Sequence, residues 1–274
     1  MNHPGGYPFL NFRCSAVCLL LLMLLLGGAE SLDAWPAPVY RSMVYDTLRL
    51  LPPSLGRVLW RNDEHLLRGV YRLEGEMASS LAKDGLEGDV SGRTTKDVER
   101  RVEAVAAMVD EHRPFREIAF ELGKLLRIAA DLADPSIMGA SNGDLAGASQ
   151  ELYRFVDTHL QEFPLVYDRQ LPSTLEGNSI TSLLEGLSEA TDGSVDRLAQ
   201  AFWKDGELIP ADAFDYRSVP FAESSLGYSR GVTAASYLWL AAWAKANGDF
   251  TGYRFFEKNS SAHDVKSKQK KERQ

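Results

Sequence analysis

Cysteine is nearly absent from this chain. Its two copies, Cys14 and Cys18, stand in or beside the leucine-rich run SAVCLLLLMLLLGGA at residues 15–29. Beyond that run there is therefore no thiol to form a disulfide, to act as a thiolate nucleophile or to build a cysteine-based zinc site. Histidine is scarce as well, with His65, His112, His159 and His263 the only ones past the run. No sustained alternation of apolar and polar residues marks a half-buried strand. Also missing are a phosphate-binding glycine loop, a dinucleotide fingerprint and a serine-histidine-carboxylate set. Positive charge is in deficit. The formal net charge is -8, so the body of the protein repels polyanions and no nucleic-acid partner is expected.

The leucine-rich run, behind Arg13, falls several residues short of the roughly 20 that a membrane-spanning helix needs. Its small residues Gly27, Gly28 and Ala29 suit signal peptidase. Residues 1–29 thus read as an export signal whose cleavage could extend to residue 34, leaving a periplasmic or extracellular protein with no transmembrane segment in the mature chain. Residues 35–250 are long enough for one large domain. Residues 258–274, lysine-rich and without apolar periodicity, read as a disordered basic tail.

Within the domain the apolar residues recur with helical period, and the expected fold class is all-α, a single multi-helix bundle. A first helix from about Pro38 is stopped by Pro52-Pro53. Leu55 to Leu81 reads as a short and a longer helix, with Leu66, Leu67, Val70, Met77 and Leu81 inward. The Gly- and Asp-rich stretch from Asp84 to Thr94 reads as a loop, and Thr94-Thr95 as the cap of a helix carrying Val98, Val102, Val105 and Val109. From Pro114 to Ala133, Ile118, Leu122, Leu125, Leu126 and Ala129 form the apolar arc. Arg116, Phe120, Arg127 and Asp131 lie opposite, on a face that is either solvated or lines a cleft. Further helices are expected over Asp144–Phe163, Ser179–Ala190, Ser194–Lys204 and Phe221–Asn247. In the last of these, Gly227 and Gly231 permit close helix approach, and Asn247-Gly248 provides a left-handed stop.

Trp35 close behind the leader, Arg127-x3-Asp131 followed by Asp134-Pro135, and Tyr153-x3-Asp157 have a layout that resembles the zinc-dependent phospholipase C and single-strand-specific zinc nuclease superfamily. The likeness spans Trp35 to about Gly248, including the closing run DYRSVPFAESSLGYSRGVTAASYLWLAAW. It implies an exported, all-helical fold and a zinc site in which the leading tryptophan, several histidines and aspartates bind metal. Against that pattern Trp35, Asp131 and Asp157 remain as vestigial metal positions. Tyr40, Arg127 and Ile137 stand where the first three histidines belong, and Tyr153 or Ser149 where the fourth does.

An arginine at a ligand position brings a permanent positive charge to the place where an ion would sit. The expectation is a degenerate metal site in a pseudoenzyme. Its cleft would be lined by Tyr40, Arg127, Asp131, Tyr153 and Asp157, with Arg127 supplying the charge that metal once supplied to the carboxylates. It would bind no zinc, and its ligand would be an anionic group such as a lipid headgroup. One alternative is a residual metal-dependent phosphodiester hydrolase, of the phospholipase C kind, with zinc retained. Another is an envelope interaction module with no vestigial cleft, in which Arg127 and Asp131 would be open to solvent.

Overall fold

A computed structural model describes residues 35–72, 90–167 and 179–253, all within one compact unit, Ala34–Gln274. The export signal at 1–29, the basic tail at 258–274, and the inward positions Met77 and Leu81 lie outside the described residues. Nine α-helices account for most of the described chain, and the fold is all-α. They are α1 (Ala37–Arg49), α2 (Pro53–Trp60), α3 (Asp63–Arg72), α4 (Val90–Asp110), α5 (Phe115–Leu132), α6 (Pro135–Met138), α7 (Gly143–His159), α8 (Ser179–Phe202) and α9 (Val219–Lys245). Among the described residues none of them is long and apolar enough to cross a membrane.

Proline sets several helix starts, since its fixed φ and missing N–H suit the first turn. Pro38, Pro53, Pro135 and Pro220 each occupy one of the first two positions of α1, α2, α6 and α9. The stops are also local. His112 (φ 56°) ends the α4–α5 connection's first half, and Asn247 (φ 51°) turns the chain out of α9, as expected of an asparagine in the left-handed region.

Two expectations are corrected. The helix placed after Thr94-Thr95 begins at Val90, and Thr95 lies inside it, buried, not at its cap. The helices expected over Ser179–Ala190 and Ser194–Lys204 are one helix, α8, that runs straight through Asp192-Gly193 and ends at Phe202, with Trp203–Lys204 in a strand. Leu184, Leu187, Thr191, Val195 and Leu198 make one continuous buried stripe, and that tertiary burial outweighs the local turn signal. Thr191 helps by returning its hydroxyl to the Leu187 carbonyl at 2.8 Å. After α8 a two-residue hairpin pairs β1 (Trp203–Lys204) with β2 (Glu207–Leu208). Its turn residues, Asp205 (φ 53°) and Gly206 (φ 82°), both have positive φ, as tight hairpin turns require.

The interior is organised around α5 and α9. Pro220, Val232, Leu238, Trp239 and Leu240 of α9 are all buried, on more than one face, because α9 packs against α1, α4, α5, α7 and α8. The Trp239 indole donates to the Leu122 carbonyl of α5 at 2.8 Å, so this ring is a core pin. Gly227 and Gly231 face Ala133, Trp35 and Met43 and allow the approach expected of them. The tightest crossing lies elsewhere, between α3 and α5. A Cβ on Gly69 would land on the Phe120 carbonyl, and one on Gly123 on the Leu66 carbonyl. The two backbones touch with no side chain between them.

Gly123→Ala should therefore lower the unfolding free energy by about 3 kcal/mol, the upper end of overpacking costs. Gly193→Ala, in open space within α8, should instead raise it by roughly 0.5–1 kcal/mol through helix propensity. Urea unfolding of the two variants beside the parent checks both signs.

Candidate functional site

The apolar arc of α5 is buried as its spacing predicts, while on the opposite face Arg116 is exposed and Phe120 half-buried. From Leu125 to Ser136, however, every residue is buried, including Arg127 and Asp131. The polar face is solvated at its start and interior at its end. Here α1, α6 and α9 pack on α5, and the polar residues must find partners among themselves.

Arg127 and Asp131 stand one turn apart on α5, each 5% exposed. The Arg127 Nε donates to both carboxylate oxygens of Asp131 at 2.8 Å. Tyr40 reaches in from α1: its hydroxyl donates to Asp131 Oδ1 at 2.6 Å, and its ring lies under the guanidinium, 4.5 Å from Cζ to the ring centre. One carboxylate, one cation and one phenol thus form a knot in which Tyr40 serves both charges, as a donor and as a π face. Burial, and then the Asp131 charge, hold the Tyr40 hydroxyl well above its usual range, against the pull of Arg127. It stays protonated and remains a donor.

A second knot adjoins the first. Asp134 is fully buried and caps α6, accepting from the Ser136 backbone N–H at 2.8 Å and the Ser136 hydroxyl at 2.6 Å. The Ser136 hydroxyl also meets the Tyr153 hydroxyl of α7. Asp134 Oδ2 has no hydrogen-bonding partner of good geometry among the described residues. Burial pushes the Asp134 carboxyl up to about 7. The Ser136 side chain and backbone pull it down, the Asp131 charge pushes it up again, and the Trp35 backbone N–H favours its ionised form. Burial, followed by the Asp134 charge, likewise raises the Tyr153 phenol.

Trp35 ties the two knots to the fold. Its indole is buried at 2% exposure and donates to the Ala130 carbonyl of α5 at 2.9 Å, while its backbone faces Asp134. The residues singled out in the sequence are thereby mostly brought together: Trp35, Tyr40, Arg127 and Asp131 directly, and Tyr153 through Ser136 and Asp134. Asp157 is not among them. It lies on the exposed side of α7, while its helix neighbours Phe155 and Val156 turn inward. Ile137 is half-buried against the core, and Ser149 returns its hydroxyl to the Ala146 carbonyl of its own helix.

Asp134 and Ser136 were missed as site residues because Asp134-Pro135 reads first as a helix stop. Asp-Pro-Ser is also the start signal of the next helix, and a cap buried at such a junction must sit beside whatever the preceding helix buries. Of the remaining histidines, His159 pairs with Glu162 at 3.0 Å three residues on, packed on Phe155, and His65 lies half-buried in the first turn of α3. No protein-family model, curated protein or solved structure matches this chain.

Two predictions follow from the geometry. Arg127→Leu leaves the Asp131 carboxylate buried without its cation and should cost about 3–5 kcal/mol of stability, whereas a loss below about 0.5 kcal/mol would show the pair to be idle. The double change Arg127→Leu with Asp131→Leu should recover most of that loss in denaturant titration. For Asp134, the folded value near 7 lies above the ordinary 3.8, so the folded state holds the extra proton. Its neutral form stabilises the fold fully below about pH 4, and that contribution falls as pH rises to about 7, by roughly 4 kcal/mol at most. Asp134→Asn keeps the cap and cannot ionise, so it should match the parent near pH 4 and exceed it near pH 8.

Proposed function

We propose that this chain is an exported helical protein built on the scaffold of the zinc-dependent phospholipase C and nuclease superfamily, with its metal site given over to an internal cation. Its role is binding or structural, not catalytic. The observation that carries this is the guanidinium of Arg127, seated on both oxygens of the Asp131 carboxylate and roofed by Tyr40, at the positions where the resemblance puts metal ligands.

The donor set supports it. Zinc sites gather neutral imidazoles and carboxylates around an open position, whereas here a carboxylate and a phenol close on a fixed cation, and the adjoining carboxylate, Asp134, is met by a serine. Asp131 already has its lone pairs engaged by Arg127 Nε and the Tyr40 hydroxyl. A divalent ion placed there would have to displace a guanidinium that repels it. The residues do not fit zinc, and no hydrolytic step is assigned to them. An anionic headgroup would meet the same obstacle, since it would compete with Asp131 for a cation that is 5% exposed. The same burial argues against a plain surface module, which leaves Arg127 and Asp131 in water. What the arrangement does well is lock α1, α5, α6 and α7 together around one polar centre.

Elemental analysis of the purified chain, after dialysis and again after incubation with zinc or manganese, tests the proposal. Well under one equivalent of metal should remain, and a chromogenic phosphodiester should not turn over above buffer. Tightly held metal together with turnover that Asp131→Asn abolishes would overturn it.

A further inference from the structure

Charge is unevenly spread in this protein. Residues 35–72 hold six arginines, no lysine and three carboxylates, within a chain whose net charge is -8. All six, Arg41, Arg49, Arg57, Arg61, Arg68 and Arg72, are exposed. Trp60, the last residue of α2, is 51% exposed. Its ring rests on that of Tyr45 in α1, with centres 5.4 Å apart. The Tyr45 hydroxyl is fixed to Asp63 at the start of α3 at 3.1 Å, so the aromatic pair is held by three helices.

Helical spacing places the arginines around that pair. Arg41 and Arg49 lie one turn before and one turn after Tyr45 on the same face of α1. Arg57 lies one turn before Trp60, and Arg61 follows it directly. Arg49 is held by Asp46 at 2.7 Å, and Arg57 donates to the Pro53 carbonyl at 3.1 Å. Arg41 and Arg61 form no ion pair among the described residues.

We infer that this arginine-ringed Trp60–Tyr45 face is an interfacial docking surface for an anionic lipid membrane. Trp is the side chain best suited to the boundary between headgroups and acyl chains, and arginine stems let guanidinium groups reach phosphates while their carbons lie along apolar surface. Four exposed arginines on the turns next to Tyr45 and Trp60, one of them shared with Asp46, offer positive charge to anionic headgroups. Single-stranded nucleic acid is less well matched, because it is held in a groove with successive aromatic platforms, and this face offers one exposed ring on the outside of three helices. Attachment is peripheral. It is independent of the polar cluster on α5, so failure of either reading leaves the other standing.

The test is co-sedimentation of the chain from Ala34 onward, which contains the core described above, with vesicles of phosphatidylcholine alone or with about 30% phosphatidylglycerol. Binding should occur on the anionic vesicles only and should weaken as salt is raised. Replacing Arg41, Arg49, Arg57 and Arg61 together by Gln should weaken it at least a hundredfold, at roughly fivefold per charge, with thermal unfolding unchanged. With brominated lipid, quenching of tryptophan emission should be lost in Trp60→Phe, although four other tryptophans remain. A second variant carries Gln for the tail lysines Lys266, Lys268, Lys270 and Lys271. Loss of binding in that variant, with retention in the arginine variant, would overturn the inference. So would absence of binding to anionic vesicles at low salt, or capture of a single-stranded oligonucleotide in place of the vesicles.

Discussion

A cation and a carboxylate one turn apart on α5, both withdrawn from water, set the terms for the rest of this protein. Two charges in an interior are costly unless each is met closely and its remaining hydrogen-bonding capacity is used. Asp131 is met by Arg127 and Tyr40, and the guanidinium lies on the Tyr40 ring. That requirement fixes where α1 can lie on α5. Because Trp35, just ahead of α1, is bonded to the Ala130 carbonyl, the chain's entry into the fold is tied to the same turn.

The neighbouring carboxylate behaves differently for a physical reason. Asp134 has hydroxyl and amide donors from Ser136 but no cation seated on it, and a charged Asp131 lies close by. Of two acids in one buried region, one is given a guanidinium and the other only a serine and an amide, so burial raises the proton affinity of the second. The first, paired with its guanidinium, organises the helices. The second spends part of the ordinary pH range neutral, and the fold carries a built-in sensitivity to pH at the junction of α5 and α6.

Much of the architecture was legible because helical periodicity is a strong signal and proline punctuates it. Pro52-Pro53, Pro114 and Asn247 bound helices where expected, and the apolar arc from Ile118 to Ala129 is interior. Local signals misled where tertiary burial overrode them. Asp192-Gly193 reads as a break, yet the stripe from Leu184 to Leu198 carries α8 through it. Spacing alone could place Arg127, Asp131 and Tyr40 in one candidate cleft, but not tell that the face is solvated at Arg116 and interior at Arg127, since that depends on which helices lie over each turn. Asp157 shared Tyr153's helix and spacing and still faces outward. The Gly69–Gly123 crossing was invisible, because a glycine on a helix carries no mark of what approaches it.

That crossing shapes how the bundle can respond to strain. Side chains between helices act as springs, since rotamers can change and let axes slide or tilt by a fraction of an ångström. Where Gly69 meets Gly123, carbonyl lies against Cα, so the two axes cannot slide or part at that point without breaking the contact. The two helices must move as one stiff plate.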